Sequence, residues 1–195
     1  MGASGSGKST LESGLIRSPR LPHVPNNFHK VVSVTTRPQR WGEEPGVHYH
    51  FMTDEEFDEC QTSGEMIQYT EFAGNRYGST KSEYTTEHNY AILVAVPESV
   101  ASFTPVLEET FPGIIIKNIY FDISNERLRE NMLKRGDSEE MITSRLAADD
   151  LDDQFHRHGL LSDFIITDDT LNEKTVRIVM QWLLQESLSD KHGQT

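Results

Sequence analysis

The stretch GASGSGKS, residues 2–9, decides the fold that the sequence predicts. It matches the pattern G-x-x-x-x-G-K-[ST] of a phosphate-binding loop, whose glycines allow a tight turn and whose N–H groups point at phosphate oxygens. In such a loop Lys8 reaches the terminal phosphates of ATP, and the hydroxyl of Ser9 binds Mg²⁺. The predicted ATP-binding residues are Gly2, Ala3, Ser4, Gly5, Ser6, Gly7, Lys8, Ser9 and Thr10.

Two other interpretations of these residues explain less of the pattern. A flexible Gly/Ser terminus would not need Lys8 and Ser9 at this spacing, nor the apolar face of a helix predicted over residues 9–17. Gly2 and Ser6 also match an N-myristoylation signal. A glycine-rich loop at a chain start matches that signal by accident, and an acyl chain on Gly2 would crowd the phosphate site.

Length, charge and cysteine content restrict the class of protein. The 195 residues are enough for one domain with a full core, and the net charge of −13 argues against a nucleic-acid polymer or an anionic membrane as partner. A small anionic ligand is not excluded, because it senses local charge. The sequence contains no membrane-length apolar run and no secretory signal. The single Cys60 cannot form an internal disulfide and fits a reducing compartment, so we expect a cytoplasmic location. The expected oligomeric state is a monomer or a homodimer.

The remaining pattern predicts an α/β fold with a parallel sheet flanked by helices and an antiparallel lobe inserted at about residues 33–90. Thr53 and Glu56 form a capping box before a helix, and Ser124 and Ser138 are predicted to cap two more. Strands are predicted at 30–36, 47–52, 91–96, 113–121 and 163–167 and on either side of Ala73–Gly74; helices are predicted at 124–135, 138–159 and 172–188.

The strand that normally precedes a phosphate loop has no counterpart in the sequence. In such folds that strand lies in the middle of the sheet, and its absence would leave backbone groups of two neighbours unpaired. We therefore expect either that the natural start lies upstream of Met1 or that another strand takes the central place.

A second polar constellation lies in SVTTRPQRWGEEPGVHYHF, residues 33–51. Arg37 and Arg40 stand three residues apart in a turn after a strand, and a pair of guanidinium groups suits a dianionic phosphate. Tyr49, Tyr77 and Ser79 add hydroxyl groups from neighbouring strands. Spacing alone favours a phosphate site and a solvated basic turn equally.

This stretch, the phosphate loop and AGNRYGS (73–79) together resemble the guanylate kinase family, and their order and spacing hold over nearly the whole chain. The resemblance implies phosphorylation of GMP and dGMP with ATP and Mg²⁺. It also implies a P-loop kinase core, a small β-rich lobe that binds the nucleoside monophosphate (NMP), and a helical lid. The corresponding ranges are 1–32, 91–134 and 160–188 for the core, 33–90 for the lobe and about 135–159 for the lid.

The resemblance also assigns roles to individual residues. The acceptor phosphate would be bound by Arg37, Arg40, Tyr49, Tyr77 and Ser79, while Ser33 would contact the base. LKRGDSEEMITSRL (133–146) is similar to the family's lid, where Arg135 and Arg145 would act on the transferring phosphoryl group. Lys8, Arg135 and Arg145 are thus the predicted catalytic residues; the alternative for Arg145 is a surface position on a helix.

The sequence departs from the family pattern at the base-recognition positions. Gln68 stands where the family has a glutamate that accepts hydrogen bonds from guanine, and an amide accepts at only one of its two ends. Val94 and Val96 replace the two aspartates of a D-x-D arrangement. Either Glu65 or Glu71 substitutes for that glutamate, or Gln68 binds guanine with reduced preference, or the base choice has changed, or activity has been lost.

Three functions are therefore open at this point. The first is ATP-dependent phosphorylation of a (deoxy)nucleoside monophosphate, either GMP, dGMP or a related purine. The second is an inactive guanylate-kinase-like domain that binds a phosphorylated partner protein, although such domains lose the ATP loop that this chain keeps. The third is a kinase for another phosphate ester, such as a sugar phosphate.

Overall fold

The computed structural model describes residues 1–17, 28–72, 74–84, 90–95, 97–150, 162–168, 172 and 174–192. The chain divides into two compact units, one formed by Met1–Asn26 with Lys117–Thr195 and the other by Asn27–Ile116. Each unit has its own β-structure and its own buried side chains.

The described residues form both helices and strands, as expected of an α/β chain. A turn of 3₁₀ helix, Lys81–Glu83, follows the fifth strand. In chain order the elements are α1 (Lys8–Arg17), β1 (Phe28–Lys30), β2 (Val34–Thr35), β3 (His50–Phe51), α2 (Asp54–Thr62), β4 (Met66–Phe72), β5 (Asn75–Thr80), β6 (Tyr90–Ile92), α3 (Pro97–Thr110), β7 (Ile119–Asp122), α4 (Asn125–Arg135), α5 (Glu139–Asp150), β8 (Phe164–Thr167) and α6 (Thr175–His192).

The first unit is organised around the parallel pair β7–β8, in which Ile119 lies opposite Phe164. Gly2 forms a parallel bridge to Phe121, so the start of the phosphate loop lies beside β7. Helices α1 and α6 pack closely, since a Cβ added at Gly14 would lie 2.4 Å from Cγ2 of Val176. The buried apolar side chains of this unit include Leu11, Leu15, Leu128, Met132, Ile142, Ile166, Val179 and Met180.

The second unit contains a four-stranded sheet in the order β3-β2-β5-β4 and a separate parallel pair, β1–β6. In the larger sheet β2 and β3 are parallel, while β5 runs antiparallel to both β2 and β4. Helix α3 packs against β4 through a cluster of Ile67, Phe103 and Leu107. The predicted capping box of Thr53 and Glu56 is confirmed at the start of α2.

The predicted α/β class is confirmed, but several strands are shorter than predicted. The strand over 30–36 is interrupted, because the N–H of Val31 still donates to Ile92 O whereas that of Val32 donates to the carboxylate of Glu83. The strand over 47–52 reduces to β3, because the N–H groups of residues 47 and 48 turn back to the carbonyl of Glu44.

Two core strands are also shorter. The strand predicted over 91–96 is observed only as β6, because it pairs only with the three residues of β1. The strand predicted over 113–121 is observed only as β7, because it pairs only with the four residues of β8.

The helix predicted over 138–159 is observed as α5 as far as Asp150, and residues 151–159 lie outside the described part. The helix predicted over 172–188 is observed as α6. Residues 91–116, assigned above to the core, group with the predicted lobe, and the division into core, lobe and lid remains a prediction.

Candidate functional site

The backbone of the phosphate loop in the first unit favours glycine at three positions, Gly2, Gly5 and Gly7, of which the first two are also tightly packed. Gly2 has φ 138° and Gly5 has φ 83°, both in the region that other residues avoid. A Cβ on Gly2 would lie 2.8 Å from Cβ of Phe121, and one on Gly5 would lie 3.0 Å from Cγ of Met132. The loop is therefore fitted between β7 and α4, and its path does not allow side chains there.

The Lys8 side chain lies across this loop. Its Nζ donates to the carbonyl oxygens of Gly2 at 2.7 Å and Ala3 at 2.5 Å, and it lies 3.3 Å from Oγ of Ser6. Lys8 is also the first residue of α1, whose N-terminal N–H groups and dipole favour an anion. Ammonium, loop amides and helix start thus lie in one place, as phosphate binding requires.

Helix α4 is attached to the phosphate loop by a side chain that the sequence did not single out. Nδ2 of Asn131 donates to the carbonyl oxygen of Gly5 at 2.9 Å. The other end of α4 is fixed by Ser124, whose N–H donates to Asp168 at 3.1 Å and whose hydroxyl hydrogen-bonds to the same carboxylate at 2.5 Å. The only sequence signal for Asn131 is its place four residues before Arg135 on the same helix face.

The two predicted lid arginines lie close to one carboxylate. Asp137 accepts from Nη1 of Arg145 at 3.1 Å, and it pairs with Nη2 of Arg135, whose Nε lies 3.3 Å from the other carboxylate oxygen. Arg135 ends α4 and Arg145 lies on α5. The structure therefore brings these two arginines together and adds Asp137, which the sequence did not identify.

Arg37 is the buried one of the two arginines predicted to bind phosphate in the second unit. Only 8% of it is exposed, and its guanidinium donates to Glu43 at 2.7 Å and lies 5.3 Å from the ring centroid of Tyr49. Burial opposes the positive charge, but the hydrogen bond and charge of Glu43 outweigh it and raise the pKa of Arg37. The hydrogen bond from Arg37, and then that from the backbone of Arg40, lowers the pKa of Glu43.

The other predicted phosphate ligands differ in their availability. The Arg40 side chain is exposed, and its backbone N–H donates to Glu43 at 2.7 Å. The rings of Tyr49 and Tyr77 meet edge to face with centroids 6.1 Å apart, and burial is the main cause that raises the pKa of Tyr49. Ser79 is fully buried, and its hydroxyl shares a hydrogen bond of 2.9 Å with the hydroxyl of Tyr84.

Burial around Tyr84 raises its pKa to about 12, so this phenol stays protonated at neutral pH. Because the Ser79 hydroxyl is buried and hydrogen-bonded to Tyr84, it is not exposed on the surface. Ser33 is half-buried, and its carbonyl oxygen accepts the N–H of His50 at 2.9 Å.

Gln68 lies on edge strand β4, directly opposite Ser79 in the register. Directly opposed residues share a face of the sheet, and Tyr77 lies on that face too because side chains alternate along β5. Oε1 of Gln68 is buried and has no hydrogen-bond partner in the described part of the chain. A cavity of about 230 Å³ lies beside it, lined by Gln61, Met66, Ile67, Gln68, Tyr69 and Ser102.

Comparison with known proteins gives the family. A sequence model described as guanylate kinase matches residues 1–186. The chain belongs to the guanylate kinase family. The guanylate kinase of Streptococcus mutans is 34% identical over 146 residues, covering 74% of this chain and 66% of the relative. The guanylate kinase of Lactococcus lactis is 36% identical over 148 residues, covering 74% and 67%.

The chain thus spans about two thirds of the length of these curated guanylate kinases. A solved guanylate kinase structure, from Anaplasma phagocytophilum, matches with a TM-score of 0.64 at 25% identity and covers 95% of this chain and 83% of that one. These matches confirm the family resemblance and the α/β kinase fold. In the described residues no helix has the length and hydropathy to cross a membrane.

The departures from the guanylate kinase pattern concern acidic groups. Val94 is 38% exposed, and Val96 lies outside the described residues. The described part of the chain contains no cluster of three or more His, Cys, Asp or Glu side chains suited to a metal ion. Mg²⁺ bound with a nucleotide uses phosphate oxygens and water for most of its ligands, so one exposed hydroxyl suffices as a protein ligand. Ser9, exposed in the first turn of α1, fits that role.

Proposed function

We propose that this member of the guanylate kinase family transfers the γ-phosphoryl group of ATP to a (deoxy)nucleoside monophosphate, either GMP, dGMP or a related purine. The observation that carries the proposal is a series of contacts within the first unit. Gly5 of the phosphate loop is bonded to Asn131, Arg135 lies one helical turn further along α4, and Asp137 joins Arg135 to Arg145. Groups that bind phosphate and groups that neutralise charge are thereby held on connected elements.

The proposed reaction leaves little covalent chemistry for the protein. An oxygen of the acceptor phosphate attacks the γ-phosphorus of ATP, the bond from that phosphorus to the bridging oxygen breaks, and ADP leaves with the electron pair. The acceptor phosphate is already an anion, so no general base is needed. Lys8, Arg135 and Arg145 would stabilise the charge on the transferring group, and Mg²⁺ held with ATP at Ser9 would add to that stabilisation.

The acceptor phosphate is assigned to the second unit. Arg37 is held in place by Glu43 and by the ring of Tyr49, so it offers a preorganised cation with its conformational freedom already restricted. Tyr49 and Tyr77 supply hydroxyl donors at adjoining positions, and the exposed Arg40 can move toward an anion. Ser79 would contribute only if its hydrogen bond to Tyr84 were rearranged.

Base choice is assigned to Gln68. Guanine presents two donors, N1–H and N2–H, whereas an amide offers one acceptor and one donor, so one pairing with guanine is lost. Adenine, 2-aminoadenine, cytosine and thymine each offer an edge with one donor and one acceptor; the purines among them fit the proposal. Alternation along β4 places Glu71 on the face of the sheet opposite to that of Gln68, and Glu65 precedes the strand. Neither glutamate is therefore placed to take over the role of the missing carboxylate.

The test is an ADP-release assay with ATP and Mg²⁺ against a panel of ribo- and deoxynucleoside monophosphates, including modified bases. The Lys8→Ala variant serves as the blank, and thermal melting shows that it is folded. Turnover of a purine monophosphate that Lys8→Ala abolishes supports the proposal. No turnover of any monophosphate, with binding of a phosphorylated peptide instead, would replace it with the binding-domain function; turnover of a sugar phosphate alone would make it a different kinase.

A further inference from the structure

Asp137 lies between the two arginines assigned to phosphoryl transfer. Its Oδ2 accepts from Nη1 of Arg145 at 3.1 Å and pairs with Nη2 of Arg135, while its Oδ1 lies 3.3 Å from Nε of Arg135. The Asp137 side chain is only 13% exposed, against 52% for Arg135 and 27% for Arg145. One largely desolvated carboxylate therefore holds two guanidinium groups that belong to different helices.

The backbone around Asp137 explains why its side chain stands there. Gly136 has φ 90° and ends α4, donating its N–H to the carbonyls of Leu133 and Met132. The N–H of Asp137 then donates to Met132 O at 3.1 Å, which completes the glycine-dependent helix ending known as a Schellman motif. The next residue, Ser138, accepts the N–H of Met141 at the start of α5 at 3.3 Å. The turn between the helices is thus specified on both sides of Asp137.

The charges of Asp137, Arg135 and Arg145 together favour the binding of an anion. Two guanidinium groups that bind the same carboxylate are close enough to repel each other. The single negative charge of Asp137 offsets that repulsion and leaves a net positive charge that can bind an anion. Each arginine donates only some of its N–H groups to Asp137, and the others have no bonded partner in the described ranges. The pair is therefore neutralised in part and still able to donate.

We propose that Asp137 is a positioning residue that holds Arg135 and Arg145 as a preorganised pair for the transferring phosphoryl group. This inference rests on the proposed function. Positioning that matters only in the transition state affects kcat and leaves KM nearly unchanged. Asp137 does not contact the substrates in this proposal; it acts through the two arginines.

The first experiment compares Asp137→Asn with Glu139→Gln. Glu139 is the matched control, because it pairs with Arg129 across the same two helices without touching either catalytic arginine. We expect Asp137→Asn to lower kcat about tenfold or more with KM for both nucleotides within about twofold, and Glu139→Gln to change neither. Asp137→Glu keeps the charge and the turn, and we expect an intermediate kcat. An unchanged or increased kcat in folded Asp137→Asn would overturn the proposal.

A double-mutant cycle with Arg145→Ala separates positioning from a general structural effect. If Asp137 acts through Arg145, Asp137→Asn should lower kcat much less in the Arg145→Ala background than in the wild type. Equal effects in both backgrounds would overturn the proposal.

A readout independent of turnover is hydrogen exchange of the Arg135 Nε–H, followed by NMR. It should be slowed in the wild type and fast in Asp137→Asn, whereas equal exchange rates would contradict the pairing. Absence of turnover in the wild type with slowed Arg135 exchange would refute the proposed function while confirming the pairing, and the positioning role would fall with that function.

Discussion

Nδ2 of Asn131 donates a hydrogen bond of 2.9 Å to the carbonyl oxygen of Gly5, across 126 positions of sequence. This bond ties the middle of α4 to the phosphate loop, and Arg135 follows one turn later on the same face. The loop itself is held on its other side by the bridge between Gly2 and Phe121. Asn131 therefore links the phosphate loop to the helix that carries Arg135, one of the two arginines proposed to act in phosphoryl transfer.

Replacing Asn131 by leucine should reduce both stability and activity. The variant leaves the partly buried Gly5 carbonyl without its donor, which costs about 1–3 kcal/mol of unfolding free energy. It also frees the loop from α4, so we expect kcat to fall about tenfold because Arg135 is less well placed. Urea denaturation and the ADP-release assay measure the two effects.

Glu130→Ala is the control for this change. Glu130 is the preceding residue of α4, more than half exposed, and its ion pairs with Arg127 and Lys134 are surface pairs. Such pairs contribute little, so Glu130→Ala should leave kcat unchanged and alter stability by less than about 1 kcal/mol. Equal losses of activity in both variants would show that Asn131 has no special link to the loop.

Gly14→Ala should destabilise the packing of α1 on α6. Alanine normally favours a helix over glycine, but its Cβ at this position would lie 2.4 Å from Cγ2 of Val176. We expect a loss of about 1–3 kcal/mol, as for other overpacked cores, measured by urea denaturation. The double variant Gly14→Ala with Val176→Ala removes the clash and should recover part of the loss. A Gly14→Ala protein as stable as the wild type would mean that α1 and α6 are not in contact.

Features determined by residues close together in sequence were predictable. The capping box of Thr53 and Glu56 and the N-cap at Ser124 depend on groups three residues apart, and both were predicted and confirmed. The helix predicted over residues 9–17 after the loop motif is observed as α1, which begins one residue earlier, at Lys8. Local hydrogen bonds of this kind need no knowledge of the rest of the chain.

Features that depend on distant partners were not predictable. The apolar run over 113–121 predicts a nine-residue strand, but only Ile119–Asp122 finds a partner, in β8. The Gly5–Asn131 bond and the engagement of Ser79 by Tyr84 likewise require the folded chain. Asp137 could have been noticed from its place between two arginines, but a surface turn often carries an acidic residue, so composition alone did not separate the two cases.

Glu43 should make the stability of the second unit depend on pH under acid conditions. The hydrogen bond from Arg37 lowers the pKa of Glu43 in the folded protein. A carboxyl group with a lowered pKa stabilises the fold above its unfolded pKa of about 4.3, and this contribution disappears as pH falls through the folded value. We therefore expect the unfolding free energy of the wild type to fall more steeply from about pH 5 to pH 3 than that of Glu43→Gln.

Glu44→Gln is the matched control for Glu43. Glu44 is the exposed residue next to Glu43, and replacing it leaves the Arg37–Glu43 ion pair intact. Urea denaturation at several pH values should therefore give Glu44→Gln the steep acid dependence of the wild type. Parallel curves for the wild type and Glu43→Gln would contradict a native-state role for the pair.

Gln68→Glu should shift acceptor choice toward guanine. The buried amide oxygen of Gln68 has no hydrogen-bond partner among the residues that the structure describes, and a carboxylate in its place would accept from both N1–H and N2–H of guanine. Removing one mismatched buried pairing changes discrimination by about 1–3 kcal/mol, so kcat/KM for GMP relative to AMP should rise about tenfold to a hundredfold. Gln61→Glu adds the same charge to the same cavity from α2 and should leave the ratio unchanged. A ratio that rises equally in both variants would indicate a general effect of charge, and a ratio that does not rise in Gln68→Glu would remove Gln68 from base recognition.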